Sequence, residues 1–216
     1  GGVPADATAV SVNLTSSNAE GPGYLVAWPC DSDQPLASTL NYLSEAPIAN
    51  SVVVPLSGTG TLCIESAVAA THVVVDVTGA YGTTDEFAGL VPARLLDTRD
   101  VSGTTIGITV DGEHAGAGTV EHGEVLRLPV ADRGGVATEA RLVALNLTAT
   151  ENTGAGFLTL WDCSDPAPLA SSINFTQPGT NIANSVIVPV SPDGEVCIVG
   201  GVSPTHVVAD VTAYYR

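Results

Sequence analysis

Lysine is missing from this chain and so is methionine, and the six basic residues are all arginine, set against 23 acidic side chains. The balance is a formal net charge of −17 and a pI near 4.1. Such a surface repels phosphate backbones and anionic headgroups, which makes nucleic acid and membrane surfaces poor partners. It suits solubility in salt, or capture of divalent cations. Charged residues are scarce at 13%, while 44% are hydrophobic, enough to bury a core and to argue against disorder. Long apolar runs are absent too, so no membrane-inserted helix is expected. No signal peptide is visible. Gly1 and Gly2 open directly on patterned sequence, as in a processed product or an excised piece.

What is present is present twice. VSVNLT at 10–15 returns as VALNLT at 143–148, and GYLVAWPC at 23–30 as GFLTLWDC at 156–163. PLASTLNY at 35–42 returns as PLASSINF at 168–175, IANSVVVPL at 48–56 as IANSVIVPV at 182–190, and THVVVDVTGAY at 71–81 as THVVADVTAYY at 205–215. The offset is 133 residues from Val10 to Val143 and 134 from Ile48 to Ile182, because the TQPGTN loop of the second copy is one residue longer. Agreement over that length is a duplication. Cys30 and Cys63 correspond to Cys163 and Cys197, so the duplication favours the disulfides Cys30–Cys63 and Cys163–Cys197 among three possible pairings. Each would close a loop of about 33 residues, worth roughly 3–4 kcal/mol in the chain-entropy model. Zinc is the rival use of cysteine, but it wants closely spaced doublets, and these cysteines are single. Disulfides imply an oxidising, extracellular compartment.

No segment keeps a helical period. The short runs rich in Val, Thr and Ile, punctuated by Gly, Pro, Asn and Asp, predict strands near 8–15, 23–29, 36–42, 50–56, 60–65 and 71–77. The second copy repeats them and adds strands near 92–98, 105–110 and 123–130. The expected fold is all-β, two tandem antiparallel β-sandwich units of jelly-roll-like form with one disulfide each. The first spans 1–82 and lacks its opening strands, 83–90 is a linker, and 91–216 is a complete second unit.

The second unit opens with ARLLDTR at 93–99, passes through LNLT at 145–148, GFLTLWDC at 156–163, SSINF at 171–175 and IANSVIVPV at 182–190, and closes on VVADVTAYY at 207–215. In that order these motifs resemble a repeat of secreted, often multidomain proteins of actinobacteria, myxobacteria and related groups. Ala213 stands where that repeat usually has glycine. The resemblance implies a surface or accessory module, frequently in tandem or joined to secreted hydrolases, and carries no catalytic role.

Several residues invite a chemical reading. His72 and Asp76, with His206 and Asp210, share a strand face, but four residues of strand separate them by roughly 13 Å, too far for a catalytic pair. No GxSxG elbow accompanies them, which argues against a hydrolase. Asp97 and Arg99 share a face of the RLLDTR strand, and Arg99 is expected to meet Asp210 of the closing strand as a shielded ion pair. Asp31 and Asp33, with Asp162 and Asp165, sit on cysteine-anchored loops and could hold calcium as a cofactor; their plainer use is in turns. Tyr24 and Trp28, with Phe157 and Trp161, alternate on one strand and would form a platform for sugar rings if exposed. Asn41, Asn50, Asn174 and Asn184 could bind ligand hydroxyls or tie down turn backbone.

These features together predict a secreted, non-enzymatic binding or adhesion module whose partner is a glycan or cell-surface component. The rival reading is a structural spacer that packs against copies of itself or other domains of a larger chain. Buried tryptophans and a large contact between the repeats would favour the spacer.

Overall fold

The computed structural model describes residues 2–43, 47–82 and 86–216; of the linker expected at 83–90, residues 83–85 lie outside the described residues. The fold is all-β. In chain order the strands are β1 (Ala9–Ser17), β2 (Gly23–Pro29), β3 (Leu40–Tyr42), β4 (Ile48–Pro55), β5 (Leu62–Ala67), β6 (His72–Tyr81) and β7 (Phe87–Asp97). Then follow β8 (Val125–Pro129), β9 (Leu142–Thr150), β10 (Gly156–Asp162), β11 (Ile173–Phe175), β12 (Ile182–Pro189), β13 (Glu195–Gly201) and β14 (His206–Tyr215). The first six build two three-stranded sheets, β4-β1-β6 and β3-β2-β5. The other eight build two four-stranded sheets, β12-β9-β14-β7 and β11-β10-β13-β8. All pairings between named strands are antiparallel. Each half carries its own disulfide, Cys30–Cys63 or Cys163–Cys197.

Strand for strand, the smaller sheets are the larger ones less one member. In the second unit β14 lies between β9 and β7, and β13 between β10 and β8. Among the described residues of the first unit, β6 pairs only with β1, and β5 only with β2. Both missing strands fall on the same side of the sandwich. The cores follow from this. In the second unit residues 87–140 supply Leu95, Leu96, Val120, Leu128, Val130 and Val136 to one continuous cluster with Leu145, Leu158, Ile198 and Val211. The first unit has two smaller clusters, one around Val12 and Val54, the other around Leu14, Leu25 and Tyr42.

Local chemistry repeats where the sequence does. Thr78 and Thr212 each sit at a break in strand register and donate to the partner strand, to Ser11 O and Ala144 O respectively. After that extra residue the strand has changed faces. The units differ in what covers their outer faces. β1 alternates buried and half-buried positions, the usual sign of one covered face, whereas β9 is buried on both. The second cover on β9 is the first unit itself. Ala9 and Val53 pack against Ala144 and Ala213, with Tyr81 and Phe87 at the margin, where their rings stack at 4.1 Å.

Two expected strands take other forms. Residues 36–39 are a loop, and pairing begins only at Leu40. Residues 105–110 fold back beside β7 instead of extending, so that Thr105 and Gly107 present backbone groups to the buried charges described below. Gly107 makes this possible: its φ is +67°, and a Cβ there would stand 2.6 Å from Arg99 O. Strand β7 already begins at Phe87, within the segment expected to be linker.

Candidate functional site between the units

A densely hydrogen-bonded surface lies where the first unit meets the sheet β12-β9-β14-β7. Its base is a cluster of four charges. Arg94 and Asp210 are register partners across β7 and β14, and Arg94 Nε donates to Asp210 Oδ1 at 2.9 Å. Arg94 also reaches Asp97 at 3.4 Å and Thr105 O at 3.1 Å. Arg99 grips Asp97 bidentately, Nε to Oδ1 at 2.9 Å and Nη2 to Oδ2 at 2.7 Å, and Gly107 N adds a bond to Oδ2. The expected pair between Arg99 and Asp210 is therefore corrected: Arg94 holds Asp210. The physical reason is a bulge. Leu95 and Leu96 both enter the core, so Arg94 and Asp97 emerge on the same outer face.

Burial sets the titration of these groups. It pushes the Asp97 carboxyl up, but the Arg99 hydrogen bonds and charge, with Arg94, pull it below the usual carboxylate range. The Asp97 hydrogen bond raises Arg99 in turn. Asp210 is shifted the other way, because its complete burial outweighs the charge and bond of Arg94. Among the described residues its Oδ2 has no hydrogen-bond partner, although the Ser38 amide adds to the lowering influence of Arg94. Thr148 Oγ1 on β9 is likewise buried and unpartnered.

The first unit caps this base with the loop ahead of β3 and with β4. Asn146 Nδ2 donates to Ser38 O at 2.5 Å. Asn50 Nδ2 donates to Thr39 O and to Asn146 Oδ1, both at 2.7 Å, and Asn50 Oδ1 accepts Ser185 N at 3.0 Å. Beside this seam is a cleft of about 280 Å³ lined by Tyr24, Ser38, Asn41, Arg94, Arg99 and Asn181, among others. Asn181 comes from the loop that is one residue longer in the second copy, and it accepts a hydrogen bond from Thr150.

The residues singled out in the sequence are dispersed around this arrangement. Tyr24 and Asn41 line the cleft. Trp161 is buried, its Nε1 donating to Asp165 O at 2.8 Å, and Trp28 is half-buried. Phe157 lies over Gly201, where any side chain would collide with its ring. The four asparagines tie down loops in matched fashion: Asn41 and Asn174 donate to Ser38 and Ser171 hydroxyls, Asn50 and Asn184 to Thr39 and Ser172 carbonyls. Only Asn50 goes on to bond the other unit. Asp31 accepts Gly58 N and Asp162 accepts Ser164 N, while Asp33 and Asp165 are exposed. Among the described residues no three His, Cys, Asp or Glu side chains gather as metal ligands would. His206 Nδ1 lies 3.1 Å from Thr98 Oγ1, and His72 is exposed.

Arg94, Asn146, Ser38 and Asn181 were not singled out from the sequence. The signal available for Arg94 was its rarity, one of six cations in the chain. Comparison of the chain with protein-family models, with curated proteins and with solved structures finds no match.

Proposed function

We propose that the chain is a non-catalytic, extracellular structural module whose units dock side to face and extend a rigid array. One observation carries this reading: the surface with which the first unit docks is presented again, uncovered, by the second. Val53 is 5% exposed against the second unit, while its counterpart Ile187 is 53% exposed. Ala37 and Asn50 are buried at the contact; Ala170 and Asn184, at the same places in the second copy, are exposed, as is Leu169. The buried Trp161 supports packing over sugar stacking, and the two disulfides support an oxidising compartment. To test it, residues 83–216 are repeated once more after Arg216. The array reading expects Leu169 and Ile187 to become protected in solution and the scattering profile to fit one rigid body. Three units moving independently would refute it.

A glycan-binding reading has its own observation, the polar cleft with Tyr24, Asn41, Arg99 and Asn181 on its walls. Arg99 is the one cation of the cluster with appreciable access to water, its side chain 18% exposed. A glycan-array screen on the intact chain tests it. Binding that is lost in Asn41→Ala would favour this role, and an array without a hit would set it aside.

A further inference from the structure

The cleft beside the seam is built by both units, and neither has it alone. The first supplies Tyr24, Leu36 and Asn41, and the second supplies Arg94, Arg99 and Asn181. A recess of about 50 Å³ adjoins it behind the same Asn41 and the two arginines, and reaches Thr148 on β9. Two of the six cations of a chain with net charge −17 therefore line one opening. Two differences between the copies shape its walls. Tyr24 faces Ala67 across β2 and β5, at the register where Phe157 faces Gly201 across β10 and β13. A Cβ at 201 would stand 2.2 Å from the Phe157 ring, so Ala67 denies Tyr24 that place and its ring joins the cleft wall. Asn181 stands where the first copy has Pro47. Its Oδ1 accepts Thr150 Oγ1, and its Nδ2 hydrogens have no partner among the described residues.

The hydrogen-bonding capacity left over in this cleft is mostly donor. Arg94 uses Nε and Nη1, and Arg99 uses Nε and Nη2. Arg94 Nη2 and Arg99 Nη1 have no partner among the described residues. Guanidinium hydrogens in such a position select an acceptor-rich group, and a carboxylate above others. The nearby charges do not all favour an anion. Asp97 is engaged by both arginines, and Glu151 also acts on Arg99, although Glu151 is exposed to screening solvent. Asp210, raised by its burial, opposes a second anion less than an ordinary carboxylate would. Tyr24, Pro35, Leu36 and Ile106 add carbon surface beside these donors.

We propose that the cleft binds the terminal residue of an acidic glycan, a sugar ring bearing one carboxylate, and that its occupant holds the two units together. The carboxylate meets Arg94, Arg99 and Asn181, and the ring lies against Tyr24 and Leu36. The proposal rests on the glycan-binding reading of this cleft and narrows it to acidic sugars. A volume of about 280 Å³ is at the lower end for small-molecule sites and suits one ring at a chain end. Because the two walls belong to different units, a ligand that touches both binds only the docked arrangement and stabilises it by linkage.

The test titrates the full chain with methyl β-D-glucuronide and with methyl β-D-glucoside, which lacks the carboxylate, by calorimetry. The glucuronide should bind about tenfold tighter or more, as expected for a charge-assisted contact. Tyr24→Leu in the first unit and Arg99→Lys in the second should each weaken it about fivefold or more, with folding checked by circular dichroism. Asn181→Ala, on an exposed loop, gives a second probe of the same wall. The Ser185 amide, which donates to Asn50 Oδ1 across the seam, should exchange more slowly as the glucuronide saturates. Equal binding of the two glycosides overturns the acidic-sugar assignment and leaves the glycan reading standing. Binding of neither at millimolar ligand overturns the proposal, and the glycan array then decides separately whether a neutral glycan is taken. Affinity that falls only in variants of one unit overturns the two-walled site, and unchanged exchange at Ser185 overturns the clamp.

Discussion

Asn50 and Asn146 bond amide to amide across the unit boundary at 2.7 Å, and neither side chain has an equivalent bond in its counterpart. Asn50 uses three hydrogen bonds at this point, to Thr39 O, Asn146 Oδ1 and Ser185 N. Asn184, which stands at the same place in the second copy, bonds only Ser172 O among the described residues and is exposed. Asn50→Ala strands two acceptors, Thr39 O and Asn146 Oδ1, and one donor, Ser185 N, in a dry seam, and should cost about 2–4 kcal/mol. Asn184→Ala should cost under about 1 kcal/mol. Urea unfolding of the two variants checks the asymmetry, and equal losses would mean that the seam is wet.

Arg94 neutralises two buried carboxylates, so its removal leaves uncompensated charge. Arg94→Leu should destabilise the second unit by about 3–5 kcal/mol. Arg94→Leu combined with Asp210→Leu should recover most of that loss, because the carboxylate with the unpartnered oxygen goes too. Equilibrium denaturation of the single and double variants separates a costly orphan from a pair that stabilises in its own right.

Acid sensitivity should have contributions of both signs. Asp111 is held at about 2, chiefly by the Arg133 hydrogen bonds at 2.7 and 2.9 Å and against the effect of burial, with the Glu113 amide assisting. A folded-state value below the unfolded one gives stability that is present above about pH 4 and is lost as pH falls towards 2. Asp97, also lowered, acts in the same direction. Asp210 is raised, so protonating it on acidification favours the folded state. Asp111→Asn should therefore flatten the decline in stability between pH 4 and 2. Urea midpoints across that range are the measurement, and an unchanged slope would count against the Arg133 pairing in solution.

Reduction should not affect the halves equally. Each disulfide closes a separation of similar length, 33 and 34 residues, so each should contribute roughly 3–4 kcal/mol. The first unit has the divided core and three-stranded sheets, and less to fall back on. Under reductant, exchange should accelerate in β1–β6 before β9–β14. The reverse order would show that the second unit depends on its bridge more than its core suggests.

The Asp162 carboxylate accepts a backbone amide within its own turn, from Ser164, and the Asp31 carboxylate accepts one from Gly58 in the loop ahead of β5. With that use alone, the melting temperature should be the same in calcium and in EDTA. A calcium-dependent rise, abolished by Asp162→Asn, would make these loops cation sites.

The duplication, the all-β class and the disulfide pairing were legible because each leaves a one-dimensional trace: repeated words, period-two alternation, matched cysteines. The charge cluster was legible only in part. Asp97 with Arg99 follows from spacing along one strand, but Arg94 with Asp210 depends on a bulge at Leu95, and a single extra residue leaves no periodic signature. The folding back of 105–110 was hidden for a related reason, since its form answers to buried charges brought there by other segments. The seam itself had a faint trace. Ser11 in β1 is replaced by Ala144 in β9, at a position that is half-buried in the first unit and fully buried in the second.

The side-to-face seam has a further consequence, which is direction. Its two surfaces are different, a loop and strand margin on one unit and a broad sheet face on the next, so no two-fold axis relates them. A contact of that kind does not close on itself after two members. Every added unit would point the same way and leave one surface of each type at the two extremities. A row built on this seam would be polar like an arrow, with chemically distinct ends that a capping partner could tell apart.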